Sequence, residues 1–170
     1  MASLRRLQPA AGASNRRDFE GFFATYAREL AAIVALATGE ITSAEDSVQE
    51  AMTRAYADWE RVSRMERADL WVLRVAQRFA IDSWRKRRRE LPSEAASGAS
   101  AAPPDIQRLW VRWGLENLGP EDRILIILRH RDGLSVDEIA LALGRSPHTI
   151  AIYLKRARRR LRTLLKEPDP

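Results

Sequence analysis

From Asp18 to Glu90, apolar residues recur at intervals of three and four almost without a break, and the same period returns from Asp105 to Lys166. No stretch alternates with a period of two, so the pattern predicts helices and no strands. Between the two periodic segments runs LPSEAASGASAAPP, with small residues, a glycine, three prolines and no large apolar side chain after Leu91. That composition reads as a linker. Residues 1–17 are rich in Ala, Ser, Gly and Arg without sustained period and read as a mobile tail. The expected architecture is all-α. Two small helical domains, 18–90 and 106–167, are joined by a flexible linker at 91–105, and each is expected to fold alone and sample many orientations of the other.

In the first segment Asp18 is a plausible N-cap ahead of Phe19, Phe22, Phe23, Tyr26 and Leu30. A second apolar run holds Ile33, Val34, Leu36 and Ala37, with Gly39 as its stop. Ser43 is the expected cap of a third helix, with Asp46 at its third position. Projected at about 100° per residue, Ala44, Val48, Ala51, Met52, Ala55 and Trp59 share one side of that helix. Asp46, Gln49, Glu50 and Thr53 share the other. The polar side reads either as a solvated face or as a docking face for a basic partner.

A fourth helix is expected over about 69–89, with Val72, Val75, Ala76 and Phe79 inward. Arg74, Arg78 and Arg85 occupy another side, with Ile81 among them, and the helix runs into Arg85-Lys86-Arg87-Arg88-Arg89. Five consecutive cations need an anion or open solvent. The arginines upstream continue the same charge, which favours a phosphate-binding surface over a solvated helix end. Trp59 is expected in the core; Trp71, at a helix start, is open between core and base-stacking roles, and Trp84 reads more as core than as a stacking platform.

In the second segment Trp110, Trp113, Leu115 and Leu118 precede a restart at Gly119-Pro120 and the apolar helix of Ile124, Leu125, Ile127 and Leu128, with Leu134 sealing its end. Ser135 and Glu138 then have capping-box spacing, ahead of Ile139, Ala140 and Leu143. Gly144 suits a left-handed turn, and Ser146-Pro147 restarts a helix with a cap and a first-turn proline. This is the spacing of a helix-turn-helix. Its second helix puts Ile150, Leu154, Ala157, Leu161, Leu164 and Leu165 on one side, and His148, Ile152, Lys155, Arg156 and Arg159 opposite. No acidic residue falls between Glu138 and Glu167, which favours a recognition helix over a merely solvated basic one. Ile152 is either a contact for thymine methyl groups or a tolerated exposed residue.

Composition narrows the function classes. The 170-residue chain carries a formal net charge of +6, which points to a polyanion, nucleic acid first. Without cysteine it has no disulfide framework, thiolate zinc site or thiol nucleophile, as suits a reducing cytoplasm. No signal peptide and no membrane-spanning stretch is read, so a cytoplasmic chain without membrane insertion is expected. The only histidines are His130 and His148, and no carboxylate cluster sits with a nucleophile or at metal-ligand spacing, so no enzyme, metal, cofactor or small-molecule substrate is expected.

Three motifs in this order carry a family resemblance. AEDSVQEAMTRAYADW, from Ala44 to Trp59, and WVLRVAQRFAIDSWRKRRR, from Trp71 to Arg89, resemble region 2 of the extracytoplasmic-function sigma factors. Leu118 to Leu161 resembles region 4. The resemblance implies a non-enzymatic subunit that binds core RNA polymerase and directs promoter recognition and transcription initiation. It implies docking of Asp46, Gln49 and Glu50 on the β′ clamp helices, and a β-flap contact. It implies minus-10 DNA contacts by Trp71, Arg74, Arg78, Arg85, Lys86, Arg87 and Arg88, where a flipped base is held in single strand. It implies minus-35 contacts by Ser146, His148, Thr149, Ile152, Lys155, Arg156, Arg159 and Arg160. An anti-sigma factor is a further candidate partner. Where the family often has Lys-Ser-Arg in the recognition helix, this chain has Ala151, Ile152 and Tyr153, and many members carry Asn in place of Arg78.

A DNA-binding repressor or response-regulator output module would also end in such a helix-turn-helix. It leaves the first helical segment, with its acidic and basic faces, unexplained. Binding to core polymerase discriminates the two.

Overall fold

A computed structural model describes residues 15–90 and 113–165, with side chains from Asp18 onward. The linker expected at 91–105, Trp110 and the first fourteen residues of the expected tail lie outside the described residues. Every regular element described is helical.

Helix α1, Asn15–Thr38, is one 24-residue helix where two apolar runs suggested two. It begins three residues inside the expected tail, so Asp18 lies in its first turn instead of capping it. Leu30, Ile33, Val34 and Ala37 are buried along one stripe, and Gly39 stops the helix at φ 83°, where a Cβ is disfavoured. By length and composition α1 alone among the described helices is apolar enough to cross a membrane, which the sequence reading did not anticipate. Its apolar stripe is occupied by protein, since it packs on its neighbours in both halves of the chain.

Helix α2 spans Ile41–Ala57. Glu40 precedes it without a side-chain cap, so the expected cap at Ser43 is not formed. Ser43 lies within the first turn and its hydroxyl accepts from Arg87 at 3.2 Å. The expected inner set is buried, small residues at Ala44, Ala51 and Ala55 letting α1 and α4 approach closely. Trp59 is buried as expected, but in a separate short helix, α3, Trp59–Val62. Phe19 and Phe22 meet its ring at centroid distances of 5.2 and 5.1 Å. Helix α4, Ala68–Glu90, completes this half, with Leu70, Val72, Leu73, Ala76 and Ala80 inside.

In the second half, α5, Pro120–Ile126, starts on Gly119-Pro120 as expected. The apolar helix continues as a five-residue π-turn, Ile127–Arg131. Leu134 is fully buried, and its N–H closes on the Leu128 carbonyl at 2.9 Å. Helices α6, Val136–Leu143, and α7, Pro147–Leu164, form the helix-turn-helix.

The expected independence of the two halves is not what the structure shows. Helix α1 packs on α5 and α4 on α6. Leu30, Leu70 and Leu73 belong to the same buried cluster as Ile124, Leu128, Ile139 and Ile150. Ion pairs cross the seam: Arg67 to Glu138 at 2.5 Å, Arg131 to Glu29 at 2.8 Å, and Arg85 to Glu121. A linker's composition says nothing about whether the bodies it joins have complementary faces. Ile81 illustrates the point: the projection left it among arginines, and the closed arrangement buries it to 7% exposure.

Asp132 sits at this seam, 2% exposed, just after the π-turn. Burial pushes its carboxyl up to about 6; Arg131 pulls it down and Glu29 adds to the rise. A raised carboxyl favours the protonated folded state. Its contribution is therefore full below the unfolded value of 3.8 and lost as pH rises through about 6. Asp132→Asn should accordingly raise Tm near pH 8 by an amount equivalent to about 1–3 kcal/mol and change little near pH 4. Thermal melts at the two pH values check this, and equal effects at both would remove the electrostatic cause.

Candidate polymerase and nucleic-acid interfaces

The acidic face comes first in the chain. Asp46, Gln49, Glu50 and Thr53 are all exposed on α2, opposite the buried alanines. Glu50 is engaged locally: Arg54 Nε donates to it at 3.1 Å, while the same guanidinium lies 4.4 Å from the Phe79 ring. Asp46 has no such neighbour among the described residues.

The basic face of α4 does not act as one surface. Arg78, Arg85, Lys86 and Arg88 are exposed and Arg74 is half-buried. Arg87 turns inward, pairing with Glu40 at 2.6 Å and ordering the start of α2. It is a tie between helices in this arrangement, and the five-cation run is interrupted at that point. Arg85 pairs with Asp82 at 3.7 Å and with Glu121 of α5. Arg88 lies 5.1 Å from the Trp84 ring, and Arg61 lies 5.8 Å from the half-buried Trp71 ring, which packs against the core.

The helix-turn-helix is built as its sequence suggests. Ser135 Oγ accepts from the Glu138 N–H at 3.1 Å, and the Ser135 N–H donates to Glu138 Oε2 at 2.8 Å. Burial alone would raise the Glu138 carboxyl; the Ser135 hydrogen bonds and the Arg67 charge outweigh it and hold it below the usual range. Gly144 turns at φ 62°, and the Arg74 guanidinium fills the space where its Cβ would project. Ser146 Oγ caps α7 by accepting from the Thr149 N–H at 3.2 Å. Ile150, Leu154 and Ala157 are buried, whereas Ile152, at 52% exposure, stands on the open side with His148, Lys155 and Arg159.

Arg156 and Arg160 behave differently from the other recognition-helix cations. Asp122, 3% exposed at the start of α5, accepts from both, Arg156 Nη2 at 3.1 Å. Arg156 also stacks 4.8 Å from the Tyr153 ring. Asp122 thus sets the direction of two cations on α7. Sequence reading missed it, as it missed Arg67, Glu138 as an ion-pair partner, and Arg145. Only their neighbours in space give these residues a role, and helical periodicity carries no such information.

The closed arrangement brings predicted contacts for two DNA elements together. Arg74, Arg78 and Arg85 of α4 and Arg145 and Arg156 of the helix-turn-helix line one cleft of about 620 Å³. Trp71, Lys86 and Arg88, and on α7 His148, Ile152, Lys155 and Arg159, are not among its lining residues.

Comparison with known proteins agrees across both halves. Residues 22–90 match the family Sigma-70 region 2, and residues 112–161 match Sigma-70, region 4. The chain is 34% identical over 130 residues to an RNA polymerase sigma-E factor of Streptomyces avermitilis, covering 74% of this chain and 73% of that one. It is 33% identical over 139 residues to the ECF RNA polymerase sigma factor SigL of Mycobacterium tuberculosis, covering 76% and 78% respectively. Among solved structures, the sigma factor RpoE of Bartonella quintana, crystallised with the anti-sigma factor NepR, superposes with a TM-score of 0.67 at 26% identity. That superposition covers 90% of this chain and 99% of that one. CnrH in complex with the cytosolic domain of CnrY gives 0.62 at 25% identity, with 90% of each chain covered.

Proposed function

Taking as premise that the chain belongs to the extracytoplasmic-function sigma factors, and so binds core RNA polymerase and promoter DNA in transcription initiation, we propose a division of labour among its surfaces. The exposed face of Asp46, Gln49 and Glu50 docks on a basic helical surface of core polymerase. The α4 side with Trp71, Arg74, Arg78, Arg85, Lys86 and Arg88 handles the minus-10 element. The open side of α7 reads the minus-35 duplex, with Ser146, His148, Thr149, Ile152 and Lys155 toward base edges and Arg159 toward phosphates; Arg156 joins the base contacts and Arg160 the phosphate contacts only on release from Asp122. Arg87 takes part only if its tie to Glu40 is released. No group in this scheme makes or breaks a covalent bond; the subunit is regulatory.

The observation that carries the scheme is the capped turn ahead of an all-cationic helix on one body and an uncovered acidic helix face on the other. Run-off transcription with purified core polymerase and mapping of start sites tests it. No start-site selection over core alone would sink it.

The closed chain cannot serve both DNA elements at once. Duplex positions 25 base pairs apart lie about 85 Å apart at 3.4 Å per pair. A compact chain of this length is only about 40 Å across. The halves must therefore separate on the promoter, which supports domain units at 18–90 and 106–167 joined by a spanning linker. A protein that bridges the two halves would hold the closed state, and the anti-sigma factor NepR crystallised with the neighbour RpoE makes such a partner the natural candidate here.

Within α7 the roles are separable. Arg156→Ala should reduce discrimination among minus-35 sequences by about 1–3 kcal/mol. Arg160→Ala should weaken binding to all sequences alike and lower the salt slope by about one unit. Equal, sequence-blind losses in a binding titration would make Arg156 another phosphate clamp.

A further inference from the structure

The cleft between α4 and the helix-turn-helix has features of a small-molecule site. Its volume, about 620 Å³, is within the range of ligand pockets and far too small for a duplex. Five guanidinium groups line it against two carboxylates, Asp82 and Glu121, and both of those acids are taken by Arg85. Arg78 and Arg145 have no carboxylate partner among the described residues, and Arg74 lies against the glycine turn. Like charges converging from two bodies repel one another, and an anion between them removes that cost. Ile81, Ile124, Leu125 and Ile150 are buried behind the arginines, and Tyr153 presents a half-buried ring beside them, one face of it against Arg156. Guanidinium forks suit phosphate oxygens, while an aromatic ring suits a planar base.

We propose that this cleft binds a nucleoside polyphosphate, its phosphates held by Arg78, Arg145 and Arg74 and its base against the Tyr153 ring, and that occupancy holds the two halves closed. The proposal stands on the closed arrangement and not on the assignment of promoter contacts. The site is composite: neither half alone carries both Arg78 and Arg145. A basic surface that merely attracts anions would not depend on closure, whereas this site does.

The test uses the full chain and calorimetric titration with ATP, inorganic tripolyphosphate and adenosine at one ionic strength. ATP should bind the full chain saturably at one site, about tenfold or more tighter than tripolyphosphate or adenosine. Arg78→Ala with Arg145→Ala should weaken ATP by about tenfold or more. Arg67→Met with Asp69→Asn removes the cross-seam pair with Glu138, outside the cleft, without leaving a buried charge unpaired, and should weaken ATP by about fivefold while each half stays helical. Because the chain has no cysteine, spin labels at Ser63→Cys and Thr163→Cys, both exposed positions, report the separation of the halves. ATP should narrow that distance distribution. Non-saturable binding, equal affinity for ATP and tripolyphosphate, or ATP affinity indifferent to the seam variant would each overturn the proposal.

Discussion

Arg67→Ala should lower stability by about 3–5 kcal/mol, equivalent to roughly 10 °C in Tm for a chain of this length. Arg67 is 17% exposed and lies between two carboxylates. It donates to Asp69 at 2.8 and 3.0 Å, and to Glu138 of the other half at 2.5 Å. Asp69 is 1% exposed, so removing the guanidinium leaves a buried carboxylate without its cation. Taking away one partner costs far more than the pair contributes net, because the remaining ion cannot regain water. The same logic predicts a rescue. Asp69→Asn in the Arg67→Ala background should recover most of the loss, since a neutral amide tolerates burial better. Glu138→Gln should cost only about 1 kcal/mol: the amide keeps the capping box, and Glu138 is half-exposed. Thermal melts of the three variants check the ordering. Arg67→Ala within about 1 °C of the parent would show that the triad does not hold the seam.

How much of this was legible in the sequence depends on the range of the interaction concerned. Periodicity located the helices and the buried stripe of α2, because burial on one face repeats every three to four residues. Caps at Ser135 and Ser146 were legible because donor and acceptor lie three residues apart. Ser43 had the same local signature and failed, because Arg87, 44 residues away, engages its hydroxyl and α2 starts three residues earlier than that cap predicts. The join of two expected helices into α1 has a similar source. Nothing between Leu30 and Ile33 breaks a helix, and Phe22, Tyr26, Leu30, Ile33, Val34 and Ala37 continue one buried stripe along it. The closure of the two halves was not legible at all. It depends on which surfaces of α4 and α6 fit, and on charges at Glu29, Arg67, Glu121, Arg131 and Glu138 that read locally as ordinary surface residues. The same limit separates Arg156 and Arg160 from Lys155 and Arg159. All four look alike on a helical projection, yet Asp122 holds only the first two.

Reversal of the acidic face, Asp46→Lys with Glu50→Lys, should weaken binding to core polymerase by about 2–3 kcal/mol, roughly 30- to 150-fold. Both side chains project from α2 into solvent, away from the buried alanines, so helicity should be unchanged. The one local cost is a Lys four residues before Arg54 in place of a Glu, a like-charge pair worth a few tenths of a kcal/mol. The loss should be largest at low salt and shrink as the Debye length falls below the separation of the partners. A second variant should move affinity the opposite way. Arg54 is paired with Glu50 and must release it when a basic partner arrives, and the Phe79 ring 4.4 Å away offers it another position. Arg54→Ala removes that competition and should tighten core binding modestly, by up to about threefold. This face is uncovered in the closed chain, so docking does not require the halves to separate first. Stopped-flow association with core should therefore show a fast, salt-sensitive docking step that precedes a slower step in which the labelled halves move apart. A single step in which separation limits docking would place opening before core binding, and unchanged core affinity in a folded double reversal would move the docking surface elsewhere on the chain.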